Sequence, residues 1–170
     1  MIDEQMAQSK SPSAERVMDG EEVVEVLNDL LAMTRTGRNG FVACAEAVQS
    51  TRSLREILLS RAQSFRQAEA QLVVMIRAYG VEPTKRGAGG AGLQRGWRPL
   101  DGDSGDRSDA AILRACELGE DTAIARYCHA LGEQLPVKVR QLVQHQFEGI
   151  QRNHAKIRGL RDAAAGARRS

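Results

Sequence analysis

The feature that most limits what this chain can fold into is the position of one long irregular segment. Val81 to Arg107, which contains EPTKRGAGGAGLQRGWRPLDGDSGDR, is rich in glycine, proline and charge. It separates two pairs of long helical patterns. A connection of this length is unusual inside a compact domain and normally has a task. The simplest task is geometric. A helix of about 28 residues is about 42 Å long, and extended chain covers up to ~3.3 Å per residue. The segment can therefore run the full length of a helical bundle.

The patterns on either side are apolar stripes at helical spacing. Val23, Leu27, Leu30, Thr34, Gly37, Phe41, Cys44 and Val48 recur in steps of three and four, with Asp19 as the expected N-cap. QSTRS breaks this run, and Ser50 or Thr51 caps the next. The second stripe is Leu54, Leu58, Ala62, Phe65, Glu69, Leu72, Ile76 and Tyr79, closed by Gly80. After the long segment, Ser108 caps a third helix with Ile112 or Leu113, Cys116, Glu120, Ala123, Tyr127 and Ala130. GEQLP turns the chain and places Pro136 at the first position of a fourth helix. Its stripe is Val139, Val143, Phe147, Ile150, His154, Ile157 and Leu160. Short links make each pair antiparallel, and the long link makes the second and third helices parallel. The expectation is an all-α, ferritin-like four-helix bundle, up-down-down-up, with its long crossover between helices 2 and 3. The boundaries are a flexible N-terminal arm over 1–19, the bundle over 20–162 with crossover loop 81–107, and a flexible basic tail over 163–170.

VLNDLLAMTRTGRNGF, AGLQRGW, CELGEDTAIARY and HAKIRGLRD together resemble an uncharacterised bacterial family of ferritin-like four-helix-bundle proteins, a domain of unknown function. The resemblance spans about Glu21 to Asp162. It implies the same bundle with the same crossover, and it implies no reaction.

Composition narrows the function classes. A net charge of +2 over 170 residues does not point to whole-molecule binding of a polyanion, so nucleic acid is not an expected partner. The three cysteines, Cys44, Cys116 and Cys128, are odd in number and form no C-x-x-C. That argues against a disulfide framework or zinc ribbon and for a reduced, cytoplasmic setting. The first residues carry no apolar run of the signal-peptide kind. No stretch approaches the roughly 20 apolar residues of a spanning helix, so no membrane role is expected.

A ferritin-like two-metal centre takes a Glu from each of two helices and a Glu-x-x-His from each of the other two. This chain has no Glu-x-x-His. What remains is a degenerate set on the stripes, Glu69, Glu120 and His154, in which iron or manganese would be the metal. On this reckoning Glu69 and Glu120 face each other at one level, and His154 lies about six residues, ~9 Å, farther from the turn. The competing and favoured account pairs Glu69 and Glu120 with Arg61, Arg66 or Arg126, because buried carboxylates are normally paired.

Trp97, the only tryptophan, is expected to anchor the crossover on the bundle. A basic-aromatic patch with Lys85, Arg86, Arg95 and Arg98 is the alternative. Gly37, Gly40, Gly119 and Cys116 offer close-packing surfaces. The functional expectation is a non-catalytic bundle acting through protein contacts or self-association, with a homodimer as the first partner. A stress-related role follows from fold analogy alone. The alternatives are a divergent di-metal protein, iron- or manganese-binding or an oxidase, and a DNA-protecting bundle that uses its basic loop and tail.

Overall fold

The computed structural model describes residues 16–85, 97 and 107–169. The arm up to residue 15 and most of the crossover, including Arg86, Arg95 and Arg98, lie outside the described residues. Among those described there are four helices and no strand: α1 Gly20–Ala47, α2 Arg52–Ala78, α3 Asp109–Gly132 and α4 Val137–Ala167.

Each start and stop has a local cause. Asp19 accepts from the Glu22 amide at 3.0 Å while Glu22 takes the Asp19 amide at 2.8 Å, a reciprocal capping box. Thr51, rather than Ser50, caps α2 by accepting from Leu54 N at 3.2 Å. Gly80 ends that helix at φ 77°, a left-handed conformation that glycine adopts without strain. Ser108 caps α3 through the Ala111 amide. Pro136 is the N-cap of α4 and Val137 its first residue. α4 continues to Ala167, past the expected boundary at 162, and Arg168 Nη1 donates to Ser108 Oγ at the start of α3.

The stripes meet in one core. Leu27, Leu31, Leu58, Leu72, Ile112, Val143 and Ile157 are fully buried in it. Helix directions follow from contacts at the ends. The Met18 amide donates to Gln134 O at 3.0 Å, and Ser50 Oγ meets the Asp109 carboxylate at 2.6 and 2.7 Å. The start of α1 therefore sits at the end of α3, and the end of α1 at the start of α3. Gln71 on α2 bonds Gln146 on α4, while Arg61 reaches across the centre to Glu120 on α3. Among the described residues no helix is long and apolar enough to cross a membrane.

The crossover has three described points beside α1. Thr84 is held by Asn28 Oδ1, through its amide at 3.1 Å and its hydroxyl at 3.2 Å. Arg35 Nη1 donates to the Thr84 carbonyl at 2.6 Å. Trp97 lies beside Gly40, and Ser108 arrives near Ser50. Their partners run in order from α1 into the link that follows it.

Candidate functional site

The charged centre is built by α2 and α3. Arg61 and Glu120 each sit on or beside the apolar stripe of its helix, so burial of the stripes carries both inward. Their side chains are 8% and 0% exposed. Arg61 Nε donates to Glu120 Oε1 at 2.8 Å, and Asn153 Nδ2 of α4 donates to the same oxygen at 2.6 Å. The guanidinium carbon lies 4.4 Å from the Phe65 ring centroid and 5.9 Å from that of Phe41, a cation–π arrangement. Arg61 Nη2 and Glu120 Oε2 have no hydrogen-bond partner among the described residues.

Burial dominates the electrostatics of both partners. It pushes the Glu120 carboxyl above its ordinary range, against Arg61, Asn153 and His154, which hold it down. It likewise lowers Arg61 against the pull of Glu120. Each charge has thus lost more in desolvation than the other returns, the usual account of a buried ion pair.

Two further inward carboxylates, Glu69 on its stripe and Glu117 beside one, are also held by arginines. Glu69 binds Arg35 Nε at 2.9 Å and Arg38 Nη1 at 2.5 Å. Glu117, 6% exposed, takes Arg158 Nε at 3.1 Å and also pairs with Arg161. His154 Nε2 bonds Asp121 Oδ1 at 2.7 Å.

Two expectations need correction. Glu69 is paired from α1 by Arg35 and Arg38, not by Arg61, Arg66 or Arg126. The level of His154 also differs: it stands beside Asp121, next to Glu120, rather than ~9 Å beyond. The link explains this. Glu133 and Pro136 are extended, with ψ of 160° and 148°. Residues 133–136 are non-helical, and the chain passes the end of α3 before α4 turns back.

Glu69, Glu120 and His154 are each engaged with different partners. Among the described residues no three His, Cys, Asp or Glu side chains gather to hold a metal. The residues present do not fit a two-metal centre, because arginines occupy the carboxylates that would bridge it.

Trp97 fills a seat made by two glycines. A Cβ added at Gly40 on α1 or at Gly119 on α3 would overlap its indole ring. Phe41 meets the indole edge-on at 5.1 Å and stacks on Phe65 at 5.7 Å. Gly37 is taken in the same way, since a Cβ there would lie 2.9 Å from the Phe65 ring. Gly37, Gly40, Gly119 and Cys116 are buried within the chain, so they are not surfaces for another molecule. Cys44 and Cys116 meet in the core, and hydrogen bonding to Cys44 together with burial raises the Cys116 thiol. Cys128 is exposed.

Two residues of the buried polar networks carried no signal in the apolar pattern. Asn153 and Gln146 flank a stripe instead of lying on it. Only a polar residue beside the apolar positions, with a complement on another helix, could have pointed to them. Gln146 accepts from the buried Tyr127 hydroxyl at 2.8 Å and donates to Gln71 Oε1 at 2.9 Å.

Tyr127 gives a pH prediction. Burial raises its hydroxyl from 10.0 to about 12, opposed by Thr34 and Arg61. Below pH 10 the phenol is neutral in both folded and unfolded chains, and its full contribution is present. Between pH 10 and 12 the unfolded phenol ionises while the buried one stays neutral, so stability falls with rising pH, by about 2–3 kcal/mol. Urea unfolding at pH 9.5 and 12 should show that extra loss in the native chain relative to Tyr127→Phe. Equal losses in the two proteins would refute it.

The order of helices and the charged residues of α1 to α3 lie within a single family match. The model of the family described as a domain of unknown function (DUF2383) covers residues 22–133, from the first turn of α1 to the cap of α3. It therefore includes Arg61, Glu69, Glu117 and Glu120 and stops before Asn153 and His154. No curated protein matches the sequence. With its match extending over well more than half of the sequence, the chain belongs to the DUF2383 family.

Proposed function

We propose that this chain is a ferritin-like bundle without a catalytic metal centre, and that it acts through protein contacts, beginning with self-association as a dimer. The topology is supported by the end contacts: α1 and α2 antiparallel, α2 and α3 parallel, α3 and α4 antiparallel. The crossover points at Thr84, Trp97 and Ser108 fit a long connection along α1. One observation carries the functional reading. The inward carboxylates Glu69, Glu117 and Glu120 are all engaged by arginine. A cation entering there would have to displace guanidinium groups already paired with the same oxygens.

Metal loading tests the first half. The protein is exposed anaerobically to Fe(II), and separately to Mn(II), then desalted and analysed by mass spectrometry. The expected content is well under one ion per chain. About two ions per chain, as a bundle di-metal centre holds, and lost in Glu120→Ala, would replace this reading with a di-metal protein. Sedimentation velocity tests the second half, with a species of twice the chain mass expected at micromolar concentration. A monomer at every concentration would remove self-association.

A further inference from the structure

The groove between α2 and α4 is lined by chemistry that the proposed scaffold role does not use. These two helices pack against each other far more sparsely than either packs on its hairpin partner. Between them lies a cavity of about 430 Å³, a size typical of small-molecule sites, which run ~300–1,000 Å³. Two features of the sequence open it. On α4, Gly149 leaves space where a side chain would project, since an added Cβ would meet only Arg152 Nη2, at 3.9 Å. On α2, Ser64 and Ala68 are small residues one turn apart on the same wall.

The lining has a consistent sign. Arg61, Arg152 and Lys156 contribute cationic side chains, and none of the lining residues is an aspartate or glutamate. The floor is polar and ordered: Gln146 is fixed between Tyr127, Gln71 and the Ala68 carbonyl. Arg61 is the buried member of the cationic set, and its Nη2 has no acceptor among the described residues. Glu120 neutralises part of its charge from behind, through Nε. The net positive potential at the mouth therefore comes from Arg152 and Lys156. A cleft with one sign of charge and low-dielectric walls concentrates ions of the opposite sign. Guanidinium groups bind carboxylate and phosphate oxygens with charge-assisted hydrogen bonds.

We propose that the α2–α4 cavity binds a small organic anion, its carboxylate or phosphate head held by Arg152 and Lys156 at the rim and its body against the Gln146 floor. This site is independent of whether the bundle self-associates or holds metal.

Isothermal titration calorimetry at low ionic strength, with citrate and with pyrophosphate as probes, tests it. At least one probe should bind saturably, one per chain, at millimolar affinity or tighter. Citrate alone would assign a carboxylate head, pyrophosphate alone a phosphate head, and mutual competition a shared oxyanion site. Gly149→Leu fills the cavity while removing no lining side chain, and leucine is the better helix former. It should weaken binding at least about tenfold with the circular dichroism spectrum and melting curve retained. Arg152→Gln with Lys156→Gln should weaken it comparably, with the fold intact. Failure of both probes to saturate would overturn the proposal. So would binding unchanged in folded Gly149→Leu, or a stoichiometry well above one that marks diffuse surface binding.

Discussion

Replacing Arg61 with alanine destabilises the chain by about 3–5 kcal/mol, a drop in Tm of roughly 6–20 °C for a chain of this size. The effect is large because the loss is one-sided. Glu120 is 0% exposed, and without Arg61 it keeps, among the described residues, only Asn153 as a hydrogen-bond partner. It must then either stay charged in the core or take up a proton. The cation–π contact over Phe65 is lost as well. Glu120→Ala has a similar effect by the mirror argument, leaving the guanidinium charge buried among Phe41, Phe65 and Tyr127. The joint replacement Arg61→Met with Glu120→Leu should recover most of the loss. Desolvation already outweighs attraction on both partners, and buried pairs exchanged for apolar residues of similar volume are often neutral or better. Differential scanning calorimetry of the three variants measures this. A single variant within about 1 kcal/mol of the native chain, or a double variant as unstable as the singles, would show that the pair is not the electrostatic keystone of the core.

The fold was largely legible because each helix writes its own pattern. The α1 stripe from Val23 to Val48 is buried throughout, Thr34 and Gly37 included, and Asp19, Ser108 and Gly80 act where their chemistry places them. The end of α4 was not legible: DAAAGA carries no apolar period, yet alanine favours helix, and the run continues to Ala167. The site was legible only in its parts. Glu69 and Glu120 stand on stripes, so their burial could be read, but their partners could not. Arg35 and Arg38 lie beside the α1 stripe, and which arginine reaches which carboxylate depends on helix rotation and level. Level failed for His154 because the four-residue non-helical link leaves no periodic trace. The α2–α4 cavity could not be read at all. It follows from sparse packing between two helices far apart in sequence, and Gly149 looks like any other helical glycine.

Trp97→Ala should cost about 2–3 kcal/mol, somewhat below the ~3–5 of a fully buried tryptophan because the side chain is only partly covered. Its surroundings make the prediction sharper than a simple truncation. The indole lies where Gly40 and Gly119 lack side chains, so α1, α3 and the crossover are joined by one ring. Gly119→Ala then sets two effects against each other. Alanine raises helix propensity by about 1 kcal/mol, but its methyl overlaps the indole, and such overpacking costs about 1–3 kcal/mol. In the native background the sum should be destabilising. In a Trp97→Ala background the overlap is gone, and the same substitution should stabilise by up to about 1 kcal/mol. Gly40→Ala should change sign in the same way. The ring also continues inward: Trp97 meets Phe41, Phe41 stacks on Phe65, and Phe65 lies under Arg61. Losing the indole therefore loosens the aromatic stack beneath the buried ion pair. A double-mutant cycle of Trp97→Ala with Arg61→Met should give a coupling of about 0.5 kcal/mol or more. Additive losses, with no sign change at either glycine, would mean that the indole covers the bundle without joining its helices.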